Sequence, residues 1–194
     1  MRRSGRRAGS ADTRGEILAA ARQVFGEHGF ENASVRKVAA RAQVDPALVH
    51  HYFGTKQALF LAAMELPIDF SALVERVMAG PRREIGARLV RQTLELWEDP
   101  AMRTRLMGIV RSATTDEVAA EILRRLLSAG PILALTRASG QPDAALRATL
   151  AGSQIVGLAM ARYVIRVEPL ASAPLDEVVR AIGPTIQRYL AGRL

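Results

Sequence analysis

Cysteine is absent from the chain, which excludes disulfides and thiolate metal sites and fits a reducing compartment. Aromatic residues are scarce, at 5%, so a core must be built from aliphatic side chains. No apolar run reaches the roughly 18 residues of a membrane span, so none is expected. Arg2, Arg3, Arg6 and Arg7 have the charge of a secretory leader, but no apolar stretch follows them, and a leader is not expected either. Strand signatures are missing from Leu59 onward, where no alternating or β-branched run is bounded by turns. Catalytic motifs are missing too: there is no G-x-S-x-G, no H-E-x-x-H and no phosphate loop, which argues against an enzyme.

What is present is a basic, helix-patterned chain of 194 residues, 49% hydrophobic, with a net charge of +8. Such a charge favours polyanionic partners, nucleic acid above all. Half of the excess lies in residues 1–66 and half in residues 67–194. Residues 1–12, rich in Arg, Gly and Ser, read as a basic arm, either a solvated tail or a segment that tracks phosphates. Thr13 and Glu16 form a T-x-x-E capping box ahead of Ile17, Ala21, Val24, Phe25 and His28 at helical spacing, and Gly29 supplies a stop.

The segment Ser34–Lys56 carries the chemistry. Ser34 is placed to cap a helix that buries Val35, Val38, Ala39 and Ala42 and leaves Arg36, Lys37 and Arg41 on other faces. Asp45 caps the next helix, Pro46 sits at its first position where a missing N–H costs nothing, and Val44 and Val49 can form a hydrophobic staple. Helix, turn of about three to four residues, helix is the geometry that lays a second helix in the major groove of DNA. Leu48, Val49 and Phe53 can pack that short helix, leaving Ala47, His50, His51 and Tyr52 for outward contact. His50 and His51 are adjacent and diverge by about 100°, so they do not chelate one metal ion, and no metal or cofactor site is expected. Gly54 ends the helix, Thr55 caps the next, and Lys56 falls in its first turn.

These residues resemble the tetracycline-repressor (TetR) family. The segment from Thr13 to Leu66 is similar to its DNA-binding domain in the order and spacing of three motifs, which here read ILAAARQVFGEHGF, SVRKVAARAQV and DPALVHHYFGTK. The resemblance implies phosphate contacts from Ser34, Arg36 and Lys56, with Val35 at the same helix start. It implies groove-facing positions at Pro46 and Ala47, and backbone contacts from His50 and His51. Tyr52 occupies the usual His or Tyr position before the packed Phe53. Two positions depart from the pattern. Gln43 stands where the turn usually has Gly, a substitution that costs about 1–2 kcal/mol if the residue is left-handed. His50 replaces a frequent Tyr; a histidine against phosphate favours its charged form, so operator affinity is expected to rise below neutral pH.

The expected architecture is all-α: a basic arm (1–12), a helix-turn-helix domain (13–66) and a helical regulatory and dimerisation domain (67–194). Helices are expected over Phe70–Ala79, around Ile85–Trp97, after Asp99-Pro100, over Asp116–Leu135 with a break or bend at Gly130-Pro131, from Gln141 to about Val167, and from Pro174 to Leu190. By the resemblance, the last two helices pair with their twins in a homodimer through Leu150, Ile155, Leu158, Arg162, Val178, Ile182, Ile186 and Tyr189, with Gly152, Gly157 and Ala161 allowing close approach; the same stripes could instead pack within one chain. Trp97, Met102, Leu106, Met107 and Met160 could line a pocket for a small apolar or amphipathic ligand or serve as plain core, and Arg103, Arg105 and Arg111 read best as solvated charges. The function implied is a cytoplasmic, DNA-binding transcriptional regulator released from a palindromic operator by a ligand. The alternative is a constitutive regulator without an effector.

Overall fold

The computed structural model describes residues 10–194, so the expected arm lies outside the described residues except for positions 10–12. Among the described residues every regular element is helical: α1 (Ser10–Asn32), α2 (Val35–Ala42), α3 (Pro46–Phe53), α4 (Lys56–Met64), α5 (Phe70–Met78), α6 (Ile85–Glu98), α7 (Pro100–Ser112), α8 (Glu117–Ser128), α9 (Pro131–Ala138), α10 (Ala144–Ala159) and α11 (Leu175–Ala191). A 3-10 turn, Arg82–Glu84, precedes α6, and α10 continues into a π turn, Met160–Ile165. The chain divides into two compact units. The first holds the residues to Glu65 together with Thr104–Val118; the second holds Leu66–Arg103 and Ala119–Leu194. Thr104–Val118, expected in the regulatory half, is therefore built into the first unit.

Two expected elements differ. Helix α1 begins at Ser10, so Thr13 and Glu16 lie within it and do not cap it. The expected interruption at Gly130-Pro131 is a full break: Gly130 is extended (φ −85, ψ −157) and Pro131 starts α9 afresh. The expected long helix to Val167 widens to π geometry at Met160.

The first unit closes around α1, which packs on α2 and α4; Ile17, Ala21, Val24 and Phe25 of α1 are buried, as are Val38 of α2 and Leu59 and Phe60 of α4. Phe25, Phe30 and Phe60 meet at 5.0–6.1 Å between ring centroids. Gly26 and Gly108 bring α7 close: a Cβ on Gly26 would lie 3.0 Å from the Thr104 carbonyl oxygen.

The second unit has its own core of Leu73, Val77, Ile85, Leu89, Leu94, Leu135, Ala151, Val179, Ile186 and Leu190. Its closest seam joins α6 to α11. A Cβ on Gly86 would lie 2.5 Å from the Gly183 carbonyl oxygen, so only hydrogen fits there. Gln187 ties the seam by accepting from Gly86 N at 2.8 Å and donating to Arg82 O at 3.0 Å.

One segment, Ala144–Ile165, passes by length and composition for a membrane-crossing helix, with a mean hydropathy of 1.2 over its most apolar stretch. It carries two arginines that are buried in the protein and bonded to its own carbonyls. Arg147 donates to Pro142 O at 2.8 Å and Gly192 O at 2.9 Å, and Arg162 donates to Leu170 O at 2.5 Å. Two charged groups within such a segment are costly in a bilayer and weigh against a span.

Candidate nucleic-acid interface

Helices α2 and α3 are each only 8 residues long, too short to persist alone, so caps and packing must hold them. Ser34 Oγ accepts from Lys37 N at 3.2 Å and opens α2. The helix ends where Gln43 takes a left-handed conformation (φ 55, ψ 41). Gln43 N then donates to Ala40 O at 3.3 Å and Val44 N to Ala39 O at 3.0 Å, the paired bonds of a Schellman stop. Asp45 Oδ1 accepts from Ala47 N at 2.7 Å and opens α3 with Pro46 in its first turn. Val49 is buried while Pro46, Ala47, His50 and His51 are exposed, so α3 turns its first turn and one flank outward. Tyr52 and Phe53 are half-buried, Tyr52 lying 5.4 Å from the His51 ring.

Helix α3 stops at Gly54 (φ 69). His50 Nδ1 lies 2.9 Å from Gly54 O, which sets Nδ1 as the protonated nitrogen and leaves Nε2 outward. Thr55 Oγ1 accepts from Ala58 N at 3.0 Å and caps α4, so Lys56 occupies the first helical position beside free backbone N–H groups. Arg36 is exposed and makes no hydrogen bond or ion pair with the described residues.

The positive groups are held by the end of α1. Lys37 and Lys56 are the only lysines in the sequence. Lys37 Nζ donates to Asn32 O at 2.9 Å and Lys56 Nζ to Glu31 O at 3.3 Å, and Lys56 also lies 4.3 Å from the centroid of the Phe30 ring. Cations at a helix C-terminus complement its dipole. Partial burial pushes the Lys56 ammonium pKa down, opposed by the charges of Asp116 and Glu31. Arg41 Nη1 donates to Glu27 Oε1 at 2.7 Å, joining α2 to α1 and pulling the Glu27 carboxyl below the usual carboxylate range.

One candidate surface thus gathers Ser34, Arg36, Asp45, Pro46, Ala47, His50, His51, Thr55 and Lys56 along α2, α3 and the start of α4, with Val35 half-buried. Sequence reasoning missed Arg14, whose guanidinium lies over the Phe53 ring at 5.2 Å from its centroid. No spacing rule links positions 14 and 53. It also missed Arg111 and Ser112, which the fold delivers to α1 from 82–85 residues away. A cleft of about 790 Å³ lies behind the turn, lined by Glu16, Gln23, Gln43, Asp45 and Leu48 among others.

The residues expected to line a ligand pocket fall in both units. Trp97, Met102 and Met160 belong to the second, with Trp97 and Met102 buried and Met160 half-buried in the π turn; Leu106 and Met107 belong to the first. A groove of about 450 Å³ in the second unit is lined by Phe70, Val74, Glu75, Pro131 and Ala134 among others, and holds none of the five. Of the eight residues expected at a dimer interface, Ile155, Leu158, Arg162, Val178 and Ile186 are buried within the single chain. Their stripes face the chain's own core, where α6, α10 and α11 meet. Leu150, Ile182 and Tyr189 are half-buried.

A tight helix-turn-helix with an outward α3 and cations gathered around it defines a DNA-binding protein. Residues 17–63 match the bacterial regulatory proteins of the tetR family, and residues 84–190 match the tetracyclin repressor-like C-terminal domain. The chain belongs to the tetR family and is a DNA-binding transcriptional regulator of the repressor type. It is 32% identical over 176 residues to the HTH-type transcriptional regulator BetI of Agrobacterium fabrum, covering 81% of each chain. A solved TetR-family regulator from Streptomyces coelicolor is 39% identical, with a TM-score of 0.62 and coverage of 96% of this chain and 99% of that one. The solved SmeT–triclosan complex shares the fold at 23% identity, with a TM-score of 0.61 and coverage of 91% and 90%.

Proposed function

We propose that the chain acts as a homodimeric cytoplasmic repressor that binds a palindromic operator and is released by a small apolar or amphipathic ligand. The observation that carries the DNA reading is the α2–α3 pair, capped at Ser34 and Asp45, with Arg36, Lys56 and Arg14 around an exposed α3. Ser34, Arg36 and Lys56 contact phosphate and set register, while Pro46, Ala47 and His51 face base edges. With few bidentate donors among them, groove shape and apolar contact supply much of the sequence preference. The DNA-binding domain is placed at 13–66, with Thr104–Val118 packed into it, and the remainder of 67–194 is the regulatory part.

The dimer reading is supported by the segment Ala144–Ile165, only a third of which is buried within the chain. Its uncovered side presents Leu146, Leu150, Gly157 and Ile165, and an apolar face of this kind asks for a partner. A two-fold dimer reads a palindrome whose half-sites lie one or more helical turns apart, about 34–36 Å each. The ligand reading is supported by the π turn, a geometry common at functional sites, which brings Tyr163 against Trp97 with Glu98 and Arg162 alongside. A stacked aromatic pair with a carboxylate and a guanidinium beside it suits a ligand with an aromatic or apolar body and a polar end, and the SmeT neighbour holds triclosan.

Site selection from random duplex DNA with the purified protein tests the reading, followed by a ligand screen on the selected duplex. Selection of an inverted repeat, with duplex released by a compound that also raises the melting temperature, is the expected result. An unsymmetrical site would exclude the dimer. A palindrome that no compound releases favours the constitutive regulator.

A further inference from the structure

Helix α1 is interrupted near its end. Gly29 takes φ 71, which breaks the ladder and strands the carbonyls before it and the N–H after it. The segment Thr104–Val118 repairs that break. Arg111 Nη1 donates to Gly26 O and Glu27 O at 3.0 Å each, and the fully buried Ser112 accepts from Phe30 N at 2.8 Å. Ser112 Oγ in turn donates to Gly108 O at 2.6 Å, so its rotor is locked. Phe30 is the residue whose ring carries the Lys56 ammonium, and the next residue supplies the carbonyl that Lys56 donates to. Asp116, whose N–H donates to Ser112 O at 2.8 Å, is one of two carboxylates attracting Lys56; Glu31 is the other.

We propose that Arg111 and Ser112 are positioning residues for Lys56: they hold the Phe30–Glu31 corner on which its ammonium rests, and so set how that ammonium meets a DNA phosphate. The inference rests on the reading of Lys56 as a phosphate contact. Physically, the ammonium has three donors, of which Glu31 O occupies one and the Phe30 ring face another direction, leaving a defined remainder for phosphate. Loss of the Ser112 hydroxyl leaves Phe30 N–H buried without an acceptor and frees the corner to move. The Asp116 carboxylate competes with phosphate for the same cation.

The test uses the full chain and a duplex obtained by selection from random DNA, with affinity measured against salt. Lys56→Ala is expected to reduce the slope of log K on log salt by about one. Ser112→Ala is expected to weaken binding by about threefold or more, and the double variant to bind no worse than Lys56→Ala within about twofold, as coupled residues do. Asp116→Asn, which removes no packing, is expected to strengthen binding by about twofold or more when Lys56 is present and to do nothing in the Lys56→Ala background. With only two lysines in the chain, selective lysine labelling for magnetic resonance reads the corner directly: Ser112→Ala is expected to shift the Lys56 signal and spare Lys37. Additive losses, or an Asp116→Asn effect that persists without Lys56, overturn the inference while leaving Lys56 a phosphate contact. An unchanged slope in Lys56→Ala overturns both. Should Ser112→Ala fail to fold, Arg111→Ala, which removes the bonds to Gly26 O and Glu27 O, is read in the same way for affinity, salt slope and the Lys56 signal.

Discussion

Trp97 and Tyr163 stack in parallel, their ring centroids 5.2 Å apart and their planes 5° from coplanar. The Tyr163 hydroxyl donates to Glu98 Oε1 at 2.8 Å, so the pair is apolar on its faces and anchored at one edge. Burial, reinforced by the Glu98 carboxylate, pushes the phenol pKa up to about 12.

That shift sets a pH dependence. The folded protein keeps the Tyr163 proton where the unfolded chain releases it near pH 10, roughly the reference value. Stability from this group is therefore complete below about pH 10 and lost as pH rises through the folded value of about 12. Ultraviolet titration of the phenolate is expected to show one late-titrating tyrosine that disappears in Tyr163→Phe, and the variant should lose stability less steeply over that window. A late titration surviving in Tyr163→Phe would assign the shift to another tyrosine.

Gln43 stores strain in the helix-turn-helix. It is exposed and left-handed at φ 55, without a side-chain hydrogen bond to repay the conformation. Gln43→Gly is expected to stabilise the protein by about 0.5–1 kcal/mol, the relief of left-handed strain less the entropy glycine adds to the unfolded chain. Chemical denaturation measures it, and Gln43→Ala serves as a control without gain. Equal midpoints for Gly and Ala would show that the turn carries no such strain.

Gly86 is expected to tolerate no side chain. Its seam with Gly183 and Gln187 lets the α6 and α11 backbones touch, and a Cβ there meets backbone, which cannot swing aside. Gly86→Ala should cost at least about 1–3 kcal/mol, the range for overpacking. The melting temperature reads the loss, whereas Gly15→Ala, on the exposed side of α1 where a Cβ meets nothing within 4 Å, should melt no lower than the parent protein. Indistinguishable melting of the two variants would argue that the seam is looser than described.

Arg36 and His50 separate charge from chemistry at the interface. Arg36→Ala should weaken operator binding equally across sequences and reduce the salt slope by about one. His50 uses Nδ1 on Gly54 O, which leaves Nε2 facing outward. His50→Ala is expected to weaken operator binding by a smaller factor than Arg36→Ala. Binding equal to the parent protein's would remove His50 from the DNA contact.

Much of the DNA-binding half is legible in order along the chain because its determinants are local. Ser34, Asp45 and Thr55 cap within three residues of themselves, and the stops at Gln43 and Gly54 follow from backbone conformation over one turn. The regulatory half is less legible, since an apolar stripe says that a face is buried but not against what. Ile155, Leu158, Val178 and Ile186 read equally well as a partner's contact or as core, and in the folded chain they are core.

The amino-acid sequence by itself determined an all-helical chain without disulfides, the α2–turn–α3 pair and the outward placement of Ala47, His50 and His51, because caps, turns and helical periodicity act over a few residues; Tyr52, expected outward with them, is half-buried. Only the tertiary structure decided that Thr104–Val118 joins the first unit, that Arg111 and Ser112 mend the break at Gly29, and that Lys56 rests on Phe30 and Glu31. Those contacts join residues tens of positions apart, and no local spacing encodes them: they exist because packing the apolar faces brings the stranded carbonyls and N–H groups of α1 within reach of donors and acceptors that can satisfy them.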